Sequence, residues 1–310
     1  MKNEIRVFAP ASVSNVACGF DVMGFAINEP GDEIILRLTE KSGVVITKIT
    51  GDNGKITYDP YQNTAGAPVI SMLKYLGMEK QGVEIEIHKK MPLGSGIGSS
   101  AASAVAAAFA ANIILEANLP RNEVLNFALE GEKIASGAIH ADNVAPCLYG
   151  GFILIRGYNP IDIIEIPVPE NLYCTIIYPH IEIKTKEARE ILPIEVKLVD
   201  AKTHWGNTAG LIAGLITNDL NLVSRSIQDV IIEPVRAKLI PNYYGIKNAA
   251  LDAGSLGCNI SGSGPSIFAL SSSIESANKI GEAMQKEVEK IPLGCNVYVS
   301  KINKEGPRVI

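Results

Sequence analysis

The chain has 310 residues, 47% hydrophobic and 20% charged, and its 28 Lys+Arg against 33 Asp+Glu give a formal net charge of −5. That length suits two domains, each large enough for its own core. The mildly acidic balance and the lack of a basic block argue against nucleic acid as the main partner.

Met1-Lys2-Asn3-Glu4 turns at once into a strand over 5–9, so no signal or transit peptide is read there, and Pro10 should stop the strand. Cysteines at 18, 147, 174, 258 and 295 are odd in number and form no C-x-x-C pair, which suits reduced thiols in the cytoplasm. The run Pro10-Ala11-Ser12-Val13-Ser14-Asn15-Val16-Ala17-Cys18-Gly19-Phe20-Asp21-Val22-Met23-Gly24 is small and polar at its front. Its Asn15 and Asp21 are hydrogen-bonding or acidic groups; taken alone, Asp21 is a turn or cap residue. Strands over 33–39 and 44–49 follow, separated by Lys41-Ser42-Gly43, with Gly51-Asp52-Asn53-Gly54 as a hairpin turn. Asn63-Thr64-Ala65 then precedes a helix over 68–76, where Asn63 can serve as a cap.

Gly82-Val83-Glu84-Ile85-Glu86-Ile87-His88 alternates as a half-buried strand and leads to Met91-Pro92-Leu93-Gly94-Ser95-Gly96-Ile97-Gly98-Ser99-Ser100-Ala101-Ala102-Ser103. Strand, glycine loop and helix start form a phosphate-binding arrangement. Glycines let main-chain N–H groups approach an anion, and the helix N-terminus adds unpaired donors and the positive end of its dipole. Hydroxyls of Ser95, Ser99, Ser100 and Ser103 can meet phosphate or a metal's water shell. Gly98 is followed by Ser99-Ser100 rather than Lys-Ser/Thr, which rules out a Walker A loop. The glycine spacing also departs from the dinucleotide fingerprint. A plain turn before a buried helix is the competing reading, but three glycines and four serines pack poorly.

The helix over 103–115 belongs to an uncharged stretch, 97–115, of bilayer length. Its alanines favour instead a small-residue helix packed between a sheet and a ligand. A further helix spans 121–134, and Glu132, His140, Asp142 and Asn143 then cluster before Pro146. His140 alone reads as a structural histidine. A turn into a strand over 149–156 closes a first domain, 1–158, and composition changes at Gly157-Tyr158-Asn159-Pro160. The second, 159–310, reads as a strand over 172–178, helices over 207–216, 220–229 and 244–253, and strands over 266–270 and 297–301 with a helix between them. That alternation suits an α+β sandwich. Cys258-Asn259-Ile260-Ser261-Gly262-Ser263-Gly264-Pro265 is a second glycine and serine loop entering a strand.

Taken together, Pro-Leu-Gly-Ser-Gly-Ile-Gly-Ser-Ser-Ala-Ala-Ser at 92–103, the Pro10–Gly24 run and the 258–265 loop resemble, in order, the motifs of the GHMP kinases. The first motif, Gly137-Ala138-Ile139-His140-Ala141-Asp142-Asn143-Val144-Ala145-Pro146 and Thr185-Lys186-Glu187-Ala188-Arg189 resemble the homoserine kinase branch. The resemblance implies an α+β, two-domain GHMP kinase fold, with an N-terminal ATP-binding domain like ribosomal protein S5 domain 2 and a C-terminal ferredoxin-like α/β sandwich. It implies ATP- and Mg²⁺-dependent phosphorylation of the L-homoserine side-chain hydroxyl. ATP would lie on Pro92, Leu93, Gly94, Ser95, Gly96, Ile97, Gly98, Ser99 and Ser100, with Asn63 and neighbouring Tyr61 as candidates for base or sugar. Ser100 and Glu132 would ligate the metal.

A zwitterionic amino acid needs an acid for its ammonium and a cation for its carboxylate. Asp21 fits the first role and Arg189 and Arg236 the second, with Asn15, His140 and Asn143 completing the pocket. A solvated surface charge is the rival reading for each arginine. Mevalonate-type kinases carry a base Asp seven residues before the following Gly-Gly; here that count reaches Asn143, which cannot take a proton. Asp142 stands next to it. The catalytic set is therefore Glu132, Asp142 and Asn143, with transfer driven by positioning and electrostatics rather than a strong base. A kinase for another small alcohol such as mevalonate, and a non-catalytic nucleotide or metabolite sensor, are the alternatives. A cytoplasmic homodimer without nucleic-acid or membrane partners is the expected state.

Overall fold

The computed structural model describes residues 3–137 and 140–310. Ala138 and Ile139 of the His140 segment lie outside the described residues.

The first sheet begins with β1 (Glu4–Ser14), β2 (Met23–Thr39) and β3 (Gly43–Thr50). Pro10 does not end β1: the register against β2 shifts between Pro10 and Ser12, and proline is tolerated at such an irregularity. Nor does Gly51-Asp52-Asn53-Gly54 turn a hairpin, since no antiparallel strand follows β3 among the described residues. β3 pairs in parallel with β4 (Gly82–His88), after a crossover through α1 (Gly66–Tyr75), and β4 pairs antiparallel with β2. The alternation in β4 sends Val83, Ile85 and Ile87 into the core beside Ile34 and Leu36.

Against that face lies α2 (Ser99–Ile114), whose eight alanines are all fully buried. Small side chains allow the sheet, α1 and α3 (Arg121–Ser136) to close around it. No described helix is long and apolar enough to cross a membrane. After α3 comes α4 (Ala141–Tyr149), absent from the sequence expectation because Pro146 sits inside it. Next, β5 (Phe152–Tyr158) pairs with β2 and with β6 (Ile161–Ile166). The boundary expected after residue 158 thus falls within a hairpin of the first sheet, which composition could not disclose.

The second sheet contains β7 (Tyr173–Pro179), and between it and the next strand stand α5 (Thr185–Glu190), α6 (Leu198–Thr217), α7 (Leu220–Ser226), α8 (Glu233–Arg236) and α9 (Tyr243–Asp252). Then follow β8 (Gly257–Ile260), β9 (Ile267–Ser271), α10 (Ile274–Val288) and β10 (Cys295–Lys301), giving the antiparallel order β10-β7-β9-β8. The chain ends as β11 (Arg308–Val309), back on β1 of the first sheet. One face of the second sheet packs Ile177, Ile260 and Ile267 against Ile246, Ile280 and Met284. Its other face puts Ile176, Phe268 and Leu270 into the first unit's core. Phe25 stacks on Phe152 at 4.5 Å and meets Phe268 edge-on at 5.9 Å, so the two units share an apolar seam.

Candidate active site

Gly94, Gly96 and Gly98 have φ of 64°, 79° and 73°, a left-handed conformation that glycine adopts at least cost. Gly98 caps α2, whose first-turn N–H groups lack intrahelical acceptors. The carbonyls of the loop are engaged from behind: Ser12 N–H donates to Ile97 (3.1 Å), Ser266 N–H to Ser95 (3.2 Å) and Ser261 Oγ to Gly96 (2.7 Å). A Cβ on Gly96 would stand 2.6 Å from the Ser261 carbonyl oxygen. The second glycine loop therefore packs directly on the first, and the first lines a cavity of about 610 Å³.

Under the loop lies a buried ion pair that the sequence did not suggest. Lys89 Nζ donates to Asp32, to the Ser99 carbonyl (2.7 Å) and to Ser103 Oγ (2.8 Å). Asp32 also accepts from the N–H groups of Lys90 (2.7 Å) and Met91 (3.0 Å) and from Ser99 Oγ (3.1 Å). The hydroxyls of Ser99 and Ser103 thus face this pair, and Ser95 Oγ donates to the Pro92 carbonyl at 2.7 Å. Ser100 is different. Its Oγ donates to Glu132 Oε2 at 2.9 Å, joining two hard oxygen donors at the start of α2. Pro92 and Ile97 do not line the cavity, and Ile97 is fully buried.

From Glu132 a chain of polar contacts crosses the cavity. His140 Nδ1 stands 3.6 Å from Glu132 Oε1, and His140 Nε2 stands 3.0 Å from Arg189 NH2. A guanidinium only donates, so Nε2 accepts and the ring proton sits on Nδ1. Glu132 raises the pKa of His140, against burial and Arg189. Arg189 in turn makes a bidentate pair with Asp21 at 3.0 and 2.9 Å. The acid and cation expected to grip opposite ends of one ligand hold each other.

Asn15 orients Asp21. Its Oδ1 accepts the Asp21 N–H at 3.0 Å and its Nδ2 donates to the Gly262 carbonyl at 2.8 Å. Arg236 is not a solvated charge: it is 3% exposed and donates to the carbonyls of Ala188 (3.2 Å) and Gly262 (2.9 Å). Burial first, and Arg189 second, push its pKa down to about 10. Phe20 faces both guanidinium groups, at 5.6 Å from Arg189 and 5.3 Å from Arg236.

At the start of α4, Asn143 has both amide ends tied to β1: Nδ2 donates to Ser14 Oγ (2.8 Å) and Oδ1 accepts from Ser12 Oγ (3.1 Å). Asp142 is buried in the cavity wall, and its Oδ1 has no hydrogen-bond partner among the described residues. Burial first, then the charge of Asp21, pushes its carboxyl up to about 7. Asn63 lines the cavity, but its amide is used locally, donating to the Thr57 carbonyl and accepting the Ala65 N–H, both at 2.8 Å. Tyr61 is 72% exposed and lines an adjoining groove of about 460 Å³ with Ile70 and Ile134. Among the described residues no three His, Cys, Asp or Glu side chains form a metal cluster. Phe20, Lys55 and Lys89 were missed as site residues; Lys89-Lys90 directly before the loop was the available signal for the last.

Comparison with known proteins decides the kinship. The models for the GHMP kinases N terminal domain and the GHMP kinases C terminal match residues 63–151 and 211–290. The chain belongs to the GHMP kinases. Within them it groups with homoserine kinases: one from Chlorobium phaeobacteroides (strain BS1) is 52% identical over 314 residues, covering 98% of each chain. Another from Chlorobium phaeovibrioides is 49% identical over 317 residues, covering 99% of each. The crystal structure of homoserine kinase from Cytophaga hutchinsonii superposes with a TM-score of 0.98 at 57% identity, covering 100% of this chain and 98% of that one. As a GHMP kinase the chain is an ATP-dependent kinase of a small molecule.

Proposed function

We propose that the protein transfers the terminal phosphoryl group of ATP to the side-chain hydroxyl of L-homoserine, giving ADP and O-phospho-L-homoserine for threonine biosynthesis. The observation that carries this reading is a single cavity holding both the 94–98 loop and the Asp21–Arg189 pair. A free amino acid supplies an ammonium and a carboxylate that can exchange for that pair: Asp21 takes the first and Arg189, backed by Arg236, the second. Arg189 Nε is buried without an acceptor among the described residues, leaving a donor for the carboxylate.

The loop N–H groups and the start of α2 would bind the ATP phosphates. The groove beside Tyr61 and Ile134 is the proposed seat of adenine. Ser100 and Glu132 suit Mg²⁺, which takes oxygen ligands and keeps waters, so one carboxylate and one hydroxyl fit. When bound, the ion supplies charge neutralisation of the phosphates. His140 links Glu132 to Arg189 and so fixes the two ligand ends relative to each other. Asn143 cannot accept the hydroxyl proton, and its two serine contacts suit it to orientation. The proton passes to phosphate or solvent. Five free cysteines, four of them buried, accord with a reducing cytoplasm, and a symmetric homodimer is the proposed assembly.

Coupled ADP release with Mg-ATP against L-homoserine, mevalonate, shikimate and L-serine tests this. Turnover on homoserine alone is expected. Turnover on another alcohol would discard the pocket assignment, and ATP binding without ADP release on any of them would mark a sensor.

A further inference from the structure

Apart from the loop and the Asp21 cluster, one ion pair stands beside the cavity, which Lys55 lines, with Glu182 packed on Gly94. Lys55 Nζ donates to Glu182 Oε2 at 2.8 Å, joining the segment after β3 to the segment before α5. The backbone at Lys55 is pinned. Asp52 is buried, accepts the Ile56 N–H through its side chain (3.0 Å) and accepts the Lys55 N–H through its carbonyl (3.2 Å). Gly51 packs so closely on the Lys89 carbonyl that a Cβ there would overlap it. Lys55 is therefore carried by the same lysine that supports the phosphate loop from below.

Glu182 lies across that loop: a Cβ on Gly94 would be 2.9 Å from Glu182 Cγ and 3.5 Å from its Oε1. Lys55, Gly94, Ser95 and Gly96 line one cavity. A carboxylate thus stands over an anion-binding loop, with an ammonium as its partner. Phosphates seated on the loop would bring several negative charges to the place where one already stands, and like charges repel. The Lys55–Glu182 pair is solvent-exposed on both sides, so holding it together contributes little, and the flexible lysine stem can swing its three donors to a new acceptor.

We propose that Lys55 is a phosphate-binding residue that exchanges Glu182 for the terminal phosphates of ATP, and that Glu182 opposes nucleotide entry by competing for it. The inference rests on the reading that ATP occupies the 94–98 loop. Since the charge concerned lies on the outer phosphates, the effect should grow with phosphate number. A strap that merely joined the two segments would not show this.

Calorimetric titration of the full chain with Mg-ATP, Mg-ADP and AMP tests it, comparing wild type with Lys55→Met and Glu182→Gln. Lys55→Met is expected to weaken ATP about tenfold, the loss of one charge-assisted contact, ADP by less and AMP by under about twofold. Glu182→Gln is expected to tighten ATP about threefold, the opposite sign. ATP affinity unchanged in Lys55→Met, or weakened alike by both substitutions, would overturn the exchange. Wild-type protein with no ATP affinity would overturn the functional reading, and the exchange with it.

Discussion

Asp142→Asn should stabilise the fold, and by an amount that depends on pH. The Asp142 carboxyl moves from its ordinary 3.8 to about 7, chiefly through burial. Below pH 3.8 it is protonated in both the folded and unfolded chain and costs nothing. As pH rises the unfolded chain ionises first, so stability falls until the folded carboxyl ionises as well near 7. At about 1.4 kcal/mol per tenfold change in proton affinity, the full penalty above pH 7 is at most about 4 kcal/mol. Local relaxation around the ion reduces this, and a gain of about 1–3 kcal/mol for the asparagine is expected at pH 8. Asparagine is nearly isosteric and never ionises.

Urea unfolding of both proteins at pH 4, 6 and 8 measures the difference. It should be small at pH 4, grow through 6 and level off above 7. A difference independent of pH, or one favouring aspartate at pH 8, would refute the reasoning. The same variant reports on chemistry. Transfer without an enzyme base predicts a kcat loss under about tenfold, whereas a general base contributes about 10²–10⁴-fold. A loss in the larger range with unchanged homoserine affinity would make Asp142 the proton acceptor.

Arg189→Lys keeps the charge but gives up the bidentate fork, so KM for homoserine should rise about tenfold or more while KM for ATP holds; steady-state kinetics with each substrate varied checks this. Gly96→Ala places a methyl 2.6 Å from the Ser261 carbonyl oxygen and 2.7 Å from that of Gly264 at a φ of 79°, and ATP binding by calorimetry should be lost. Lys89→Met leaves buried Asp32 without its countercharge, which should destabilise the protein by about 3–5 kcal/mol in thermal or urea unfolding. Phe20→Leu removes the ring facing both arginines; KM should rise for homoserine and not for 3-aminopropan-1-ol, which lacks the carboxylate.

The 94–98 glycine loop was legible because its glycines and serines have few other uses in that order, and β4 because one alternating face is buried. Other features depended on distant partners. Pro10 reads as a strand end, yet it sits at a register shift created by β2. Ser99 and Ser103 read as phosphate hydroxyls, yet Lys89 and Asp32 claim them, and Asp32 lies 57 residues before Lys89. Asn15 and Asn143, named from the sequence as pocket candidates, line the cavity, whereas their work of tying the Gly262 loop and β1 into place follows from the fold alone. Arg236 sits among residues of no distinctive pattern, and only tertiary burial marks it.

The Asp21–Arg189 pair also bears on which alcohol the cavity accepts. Both side chains are partly exposed, 32% and 41%, so a ligand can reach them, yet each leans on the other for charge balance. A zwitterion that displaces the pair returns an ammonium to Asp21 and a carboxylate to Arg189, and no charge is left unmatched. Mevalonate or shikimate, with a carboxylate alone, could satisfy Arg189 only by stripping Asp21 of its partner, close to buried Asp142, whose carboxyl the Asp21 charge already raises. An unpaired charge in such a place costs far more than an exposed one. On the proposed ligand assignment, discrimination against simple hydroxy acids would follow from the pair itself, and it should weaken in Asp21→Asn, where carboxylate binding no longer strands an acid.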